Sequence, residues 1–237
     1  MRRIIIDCER FKIGISSLLE EIPPKYDGLG KINTISNHRR RLQHATCLYL
    51  LDNLYPGSAR ELRYYNGCPV VGNNLNVSFT HDDGLCAVAT SQSGAIGIDL
   101  QRPYPAIEKV RKRFMHPLDS VTDAPYLQSL TILWSLKEAG LKILLARGIP
   151  KSFRKVVCLN IETVRFPKGF YDIGLIDTIW VSSVLVNDDK FYGYTTIIKS
   201  LDMYLSVLIK EKTGAPLSGS HPGAIAAKWR CCKIIQF

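Results

Sequence analysis

The stretch WSLKEAGLK, residues 134–142, belongs to the longest segment with a helical pattern, which ends at Gly148 and Pro150. Apolar residues fall on both sides of this helix when 3.6 residues make one turn. Such a helix is expected to be sandwiched, which would place Glu138 and Lys142 in a partly closed space. The alternative is an ordinary solvent-exposed (i, i+4) pair, which contributes only about 0.2–0.5 kcal/mol.

A second segment, GAIGIDLQRP at residues 94–103, predicts a short strand that ends at a proline. Strand alternation places Gly97, Asp99 and Gln101 on one face, and the glycine leaves room there for something bulky. Side-chain oxygens at positions i and i+2 can share one hard cation such as Mg²⁺. The alternative is an aspartate at the strand end that caps the following turn.

The rest of the chain alternates between helical and β-prone segments. RRIIID, residues 2–7, predicts a first strand, because acidic residues interrupt an apolar run too short for a signal peptide. A helix is predicted between Ser36 and Pro56, a hairpin around Asp82-Asp83-Gly84, and a turn-rich loop over residues 66–74. Further predicted elements are a short amphipathic helix within residues 106–119, with a proline as its stop, and strands at 155–166, 176–187, 191–200 and 203–211.

This order of elements predicts an α+β fold of two similar halves related by pseudo-twofold symmetry. Each half would pack a helix on a small, mostly antiparallel sheet, with the junction near Gly97. The predicted division is residues 1–96, residues 97–212 and a tail at 213–237, whose last part reads as either a short helix or a disordered end.

Composition restricts the class of protein. The 237 residues are 46% hydrophobic, enough for a large core, and no run is long enough to span a membrane. The net charge of +10 suits nucleic acid, anionic lipid, phosphate-rich cofactors or acidic proteins. The seven cysteines form no CxxC pair, so neither a zinc site nor a disulfide framework is indicated, and a cytoplasmic location is expected.

The segments GAIGIDLQRP and WSLKEAGLK together resemble a known signature. GID at residues 97–99 followed by WSLKEAGLK is similar to the paired motif of 4'-phosphopantetheinyl transferases of the surfactin-synthetase-associated, pseudo-dimeric type. That motif is G-[IV]-D followed by [WF]-[STC]-x-K-E-[AS]-x-x-K. HRRRLQHA at 38–45, NGCPV at 66–70 and NVSFTH at 76–81 resemble the family's basic helix start, its G-K-P loop and its histidine-containing hairpin.

The resemblance implies a Mg²⁺-dependent enzyme that moves the phosphopantetheine arm of coenzyme A onto a serine of an apo carrier protein and releases adenosine 3',5'-bisphosphate. It implies that Asp99 and Glu138 bind the metal and that Glu138 is also the general base. Lys142, supported by Lys137, would stabilise the phosphate charge. The implied coenzyme-binding residues are Arg40, Arg41 and His81 at the 3'-phosphate, with Lys25 as a further candidate there, and Gly67, Cys68, Pro69 and Thr80 around the adenine.

Two positions depart from the family pattern. Gln101 stands where a glutamate is usual, so either this amide or a water would complete the Mg²⁺ shell. Cys68 replaces the loop lysine, which removes one cation from the implied coenzyme site. The alternatives are therefore a weak or inactive homologue that binds coenzyme A or a carrier, and a basic nucleic-acid-binding protein. No zinc finger, RNP motif or helix-turn-helix supports the last of these.

The partners expected from the resemblance are coenzyme A and an acidic acyl, polyketide or peptidyl carrier protein. Neither a membrane nor a nucleic acid is expected to be a partner. Because an internally duplicated chain already contains both halves of the site, a monomer is expected.

Overall fold

The computed structural model describes residues 3–72, 75–82, 84–120, 122–165, 176, 178–210 and 233–236. The protein is mixed α/β, with two antiparallel sheets and few helices. The helices are α1 (His38–Leu54), α2 (Ser58–Glu61), α3 (Ile107–Phe114) and α4 (Tyr126–Ala146). The strands are β1 (Arg3–Asp7), β2 (Lys12–Ser17), β3 (Leu62–Tyr65), β4 (Cys68–Val71), β5 (Leu75–Asp82), β6 (Leu85–Ser91), β7 (Ile96–Gln101), β8 (Val156–Arg165), β9 (Thr178–Val186), β10 (Asp189–Ile198), β11 (Met203–Ile209) and β12 (Lys233–Gln236).

The first sheet has seven strands in the order β12-β1-β2-β6-β5-β4-β3. Its central strand β6 is buried along its whole length, because each of its faces is covered. Cys86 and Val88 pack against the apolar side of α1. Ala87 and Ala89 belong to a core shared with the second sheet. The alternation of strand side chains therefore places α1 on one face of this sheet and the second sheet on the other.

The second sheet has five strands in the order β7-β11-β10-β9-β8. On β11, Leu205 and Val207 join the core between the sheets. Tyr204 and Leu208 point the other way and pack with Leu136 of α4. Each sheet therefore carries one long helix on the face that is turned away from the shared core.

The contact between β7 and α4 sets the position of the site. A Cβ atom on Gly97 would lie 2.2 Å from the carbonyl oxygen of Ala139, so only glycine lets the helix backbone approach the strand this closely. On the side facing β5, the amides of Ile98 and Leu100 donate to the hydroxyls of Ser78 and Thr80, at 3.2 and 3.3 Å. The room that the sequence predicts at this glycine is thus filled by the backbone of α4.

Most of the predicted elements are confirmed, including the first strand, the long sandwiched helix, the hairpin at β5 and β6 and the four later strands. Two predictions differ from the structure. The loop predicted over residues 66–74 contains strand β4, which forms a hairpin with β3. The tail includes β12, which pairs with β1, so the helical and disordered readings are wrong for residues 233–236. The remainder of the tail lies outside the described residues.

The structure also bears on the predictions made from composition. Within the described ranges, no helix combines the length and the hydropathy needed to cross a membrane. Cys47, Cys68, Cys86 and Cys158 are buried free thiols, as expected of small core residues. Cys8 differs from them, because it is disulfide-bonded.

Candidate functional site

A cavity of about 730 Å³ lies between the N-terminal half of α1, strands β3 to β5 and the C-terminal half of α4. Three cationic side chains line it, Lys31, Arg40 and Lys142, together with His44 and His81. No aspartate or glutamate is among the described residues of its wall. Cations on a wall that contains no described acid favour a positive potential inside the cavity, so this cavity suits an anionic ligand.

One side of the cavity is aromatic. The backbone amide of Lys31 donates to Nε2 of His44 at 3.2 Å, and the Tyr64 hydroxyl lies 3.3 Å from either ring nitrogen. The ring of Phe79 meets the imidazole edge-on, with centroids 6.5 Å apart. Burial, with a smaller effect of the Lys31 charge, lowers the pKa of His44 to about 4, so the ring is neutral near pH 7. This wall offers flat rings and neutral polar groups, and the Lys31 ammonium lies over one of the rings, 4.0 Å from the Tyr64 centroid.

The cationic side of the cavity is formed where β5 approaches α4. His81 lies on β5, and burial lowers its pKa, with the charges of Lys142 and Arg40 adding to the effect. Asp82 and Asp99 act in the opposite direction. A bound anion would relieve the repulsion among these groups, which makes this part of the wall suitable for phosphate.

A buried carboxylate, that of Asp99, lies directly behind Lys142. Its Oδ1 accepts from Lys142 Nζ at 3.1 Å and from Thr80 Oγ1 at 3.3 Å. Its Oδ2 accepts from Ser135 Oγ at 3.0 Å. Lys142 Nζ also donates to the carbonyl oxygen of Ile98 at 2.6 Å. Donors from β5 and α4 therefore fix both the acid and the cation in place.

Glu138 lies one helical turn before Lys142 and is half-buried. Its carboxylate makes no hydrogen bond or ion pair with the part of the chain that the structure describes. Burial raises its pKa, the negative charge of Asp99 raises it further, and Lys142 and Lys151 partly offset the rise. Among the described residues, Glu138 thus has no direct partner, and it lies within electrostatic range of a second acid.

These two acids fit a small hard cation only in part. Across the described ranges, no group of three or more His, Cys, Asp or Glu side chains could hold a metal ion. Mg²⁺, however, is commonly bound by one or two carboxylates, with substrate phosphates and water completing the shell. Asp99 and Glu138 supply two carboxylates, and both oxygens of Asp99 already accept hydrogen bonds from the protein. The Gln101 amide donates to the carbonyl oxygen of Arg102 at 3.0 Å, which ties this side chain to the end of β7.

Most of the residues implied at the coenzyme site lie on the cavity wall. Gly67 adopts a φ of +81° in the turn between β3 and β4, a conformation that favours glycine, and this turn presents Cys68 and Pro69 to the cavity. Burial raises the pKa of the Cys68 thiol, while Lys151 and Lys31 lower it. The wall residues that were also implied by the resemblance are Arg40, Gly67, Cys68, Pro69, His81 and Lys142.

The other implied residues are placed differently. Thr80 binds Asp99, Arg41 is not part of the cavity wall, and Lys25 lies 3.6 Å from the carboxylate of Asp52. Lys137 is fully buried and its Nζ lies 2.8 Å from Asp119, so it does not reach the cavity. The resemblance implies that Lys137 supports the phosphate charge, whereas the structure places its ammonium against Asp119 and away from the cavity.

Sequence reasoning did not select Lys31 or His44. Lys31 follows a glycine-rich loop. Gly30 in this loop has a φ of +57°, and a Cβ added there would lie only 2.7 Å from His44 Nε2, which is too close. The closely spaced glycines at positions 28 and 30 were the available signal that a side chain packs against this loop.

Comparison of the chain with protein-family models and with curated proteins finds no match.

Proposed function

We propose that this protein is a 4'-phosphopantetheinyl transferase, which moves phosphopantetheine from coenzyme A to a serine of an apo carrier protein. One observation carries the proposal. Lys142 lines a cavity that has three cations and no described acid on its wall, it forms an ion pair with Asp99, and Glu138 lies within electrostatic range of both. Phosphate-binding cations next to candidate Mg²⁺ ligands are what transfer from a pyrophosphate requires.

Coenzyme A would enter the cavity with its nucleotide end first. Arg40 and His81 would contact the 3'-phosphate from the cationic side. The adenine would lie against the aromatic wall formed by His44, Tyr64 and Phe79. The volume of about 730 Å³ lies within the range of roughly 300–1,000 Å³ that is typical of small-molecule pockets.

Asp99 and Glu138 would hold Mg²⁺, which when bound would offset the negative charge of the pyrophosphate. The residues of the chain have separate tasks. Thr80 and Ser135 orient Asp99, and the ammonium of Lys142 is close enough to that carboxylate to be shared with an incoming phosphate oxygen. Lys142 would stabilise charge on the departing phosphate.

In the reaction, the serine oxygen of the carrier forms a bond to the phosphorus that bears the pantetheine. The phosphoanhydride P–O bond breaks, and adenosine 3',5'-bisphosphate leaves with the electron pair. The serine proton passes to Glu138, directly or through a water. A raised pKa suits this acceptor, because a base works best when its pKa approaches the working pH.

The proposal extends to the fold and the partner. α1 on the first sheet and α4 on the second would be equivalent elements of two halves related by pseudo-twofold symmetry, with residues 97–212 supplying the acids. The net charge of +10 would favour the docking of an acidic carrier protein, in a manner that weakens with salt.

The test is incubation of the protein with coenzyme A, MgCl₂ and a panel of apo acyl, polyketide and peptidyl carrier proteins, followed by intact mass measurement. The expected product is a carrier with one added phosphopantetheine group, formed only when Mg²⁺ is present. A carrier with its serine replaced by alanine is the matched control and should stay unmodified.

Binding of coenzyme A without transfer is the second candidate function. The observation that favours it is Cys68, an uncharged group on the cavity wall where the family places a lysine. Calorimetric binding of coenzyme A, together with no mass change on any carrier, would select this candidate. Absence of both binding and transfer would contradict both candidates.

A further inference from the structure

The second lysine of the helix, Lys137, forms an ion pair with Asp119 that is closed to solvent. The Nζ–Oδ2 distance is 2.8 Å, and both side chains are 0% exposed. Fully buried charges are rare, and a buried charge is tolerated only when its hydrogen bonds are satisfied. The arrangement around this pair therefore defines what the lysine can do.

Every donor of Lys137 has an acceptor within the protein. A lysine ammonium has three N–H groups. Nζ contacts Asp119 Oδ2, the carbonyl oxygen of Phe153 at 3.4 Å and the carbonyl oxygen of Val156. No donor remains for a substrate phosphate, and the side chain is not part of the cavity wall.

Asp119 is equally occupied. Its Oδ1 accepts from the amide of Cys158 at 2.9 Å, and its Oδ2 accepts from the amide of His116. The neighbouring Ser120 amide donates to the carbonyl oxygen of Cys158 at 2.8 Å. The segment after α3 is thus bound along β8, and the ion pair joins this segment to α4.

The chain position of this anchor matters, because Lys137 directly precedes Glu138. In a helix, each residue is rotated by a fixed angle from the one before it. Fixing the rotation of the helix at Lys137 therefore fixes the direction in which the Glu138 side chain leaves the backbone, and Lys142 lies little more than one turn further on. The contact of Gly97 with Ala139 holds the same turn of α4 against β7.

We infer that Lys137 is a positioning residue, which acts through Asp119 to hold Glu138 towards Asp99 and does not itself contact the substrate. This inference rests on the proposed transferase function for its activity readout. A lysine that acts through Asp119 should lose its effect when Asp119 is already altered, whereas a lysine that binds phosphate should not.

The experiment is a double-mutant cycle with Lys137→Met, Asp119→Asn and the double variant, in the full chain. Asn keeps a carbonyl oxygen for the Cys158 amide. Each single variant is expected to lower kcat by about 10- to 100-fold, the scale of a misplaced reacting group. The double variant should be no slower than the slower single variant. KM for coenzyme A should change less than about twofold in all three, since Lys31, Arg40 and Lys142 are retained.

Lys190→Met is the control. Lys190 is exposed on β10, and its replacement removes the same charge without touching the ion pair of Lys137 and Asp119. It should leave kcat unchanged. The melting temperature of each single variant at the ion pair should fall by roughly 10 °C, since a buried charge loses its partner. Activity is therefore measured well below the lowest of these melting temperatures.

An Asp119→Asn variant with near-normal kcat beside an inactive Lys137→Met variant would overturn the inference. So would a double variant whose losses multiply. If the wild-type protein transfers nothing, the proposed function fails separately. A crystal structure of Asp119→Asn then decides the positioning role: Glu138 should have turned away from Asp99, and an unmoved Glu138 would refute it.

Discussion

The two lysines of α4 lie in opposite circumstances. Lys142 is 27% exposed at the cavity, and it shares one carboxylate oxygen with a threonine hydroxyl. Lys137 is sealed from solvent, and its hydrogen-bonding capacity is used within the protein. Identical side chains on one helix thus have different capacities: a partly exposed lysine beside a cavity can take a new partner, whereas a saturated buried lysine holds elements together.

The largest effect is expected when either of the two acids near Lys142, Asp99 or Glu138, is replaced. Asp99→Ala and Glu138→Gln should each lower carrier modification by at least about 10²–10⁴-fold, the usual contribution of a general base. Far-ultraviolet circular dichroism should show that both variants remain folded. Near-normal turnover of either variant at saturating Mg²⁺ would remove that acid from the proposed mechanism.

The Lys142→Met variant tests directly whether the two lysines have different roles. We expect a loss of about 10²-fold or more in kcat/KM for coenzyme A, because one phosphate-facing cation is removed. Its effect on the free energy of unfolding should stay near 1 kcal/mol, as for a partly exposed ion pair. Urea unfolding measured beside the Lys137→Met variant checks this. A larger loss of stability in Lys142→Met than in Lys137→Met would reverse the assignment of the two lysines.

The pH dependence of stability tests the isolation of Glu138. Its pKa is raised above the ordinary value of 4.5, so the folded protein favours the protonated form. The ionised form therefore costs stability as pH rises through the raised pKa, and the cost is absent below the unfolded pKa. Glu138→Gln should therefore raise the melting temperature at pH 7. The gain should vanish near pH 4, and an equal gain at both pH values would point to a cause other than ionisation.

The smallest effect is expected at the end of β7. Gln101→Glu should lower the Mg²⁺ concentration for half-maximal rate by about threefold, because a carboxylate binds Mg²⁺ more strongly than a neutral amide. Gln92→Glu adds the same charge outside the cavity and serves as the control. An unchanged Mg²⁺ dependence in Gln101→Glu would place this side chain outside the metal shell.

The parts of the fold that follow from local patterns were predictable. The periodicity of α4, the turn between β5 and β6 and the alternation of β7 are all set by neighbours in the chain. The hairpin of β3 and β4 was missed, although Asn66-Gly67 between β-prone residues is a strong turn signal. The strands on either side are only four residues long, and the proline in β4 argues against a strand.

The candidate site was predictable only where residues share a short segment. Glu138 and Lys142 lie one turn apart, so helical geometry places them together. The environment of Lys137 depends on Asp119 and β8, and no pattern in the helix reports which distant segment packs against a buried side. Lys31 and His44 were missed for the same reason, because their contact is made by a loop that folds back onto α1.

Gly97 has a consequence for how a large substrate could be admitted. Its contact with Ala139 leaves no slack between β7 and α4, and on the other flank of the helix the Asp119 segment is equally firmly attached. The wall that carries Asp99 and Glu138 is thus attached from two directions. A wider entrance would require movement of the opposite wall, which contains the glycine-rich turn before Lys31 and the turn at Asn66-Gly67.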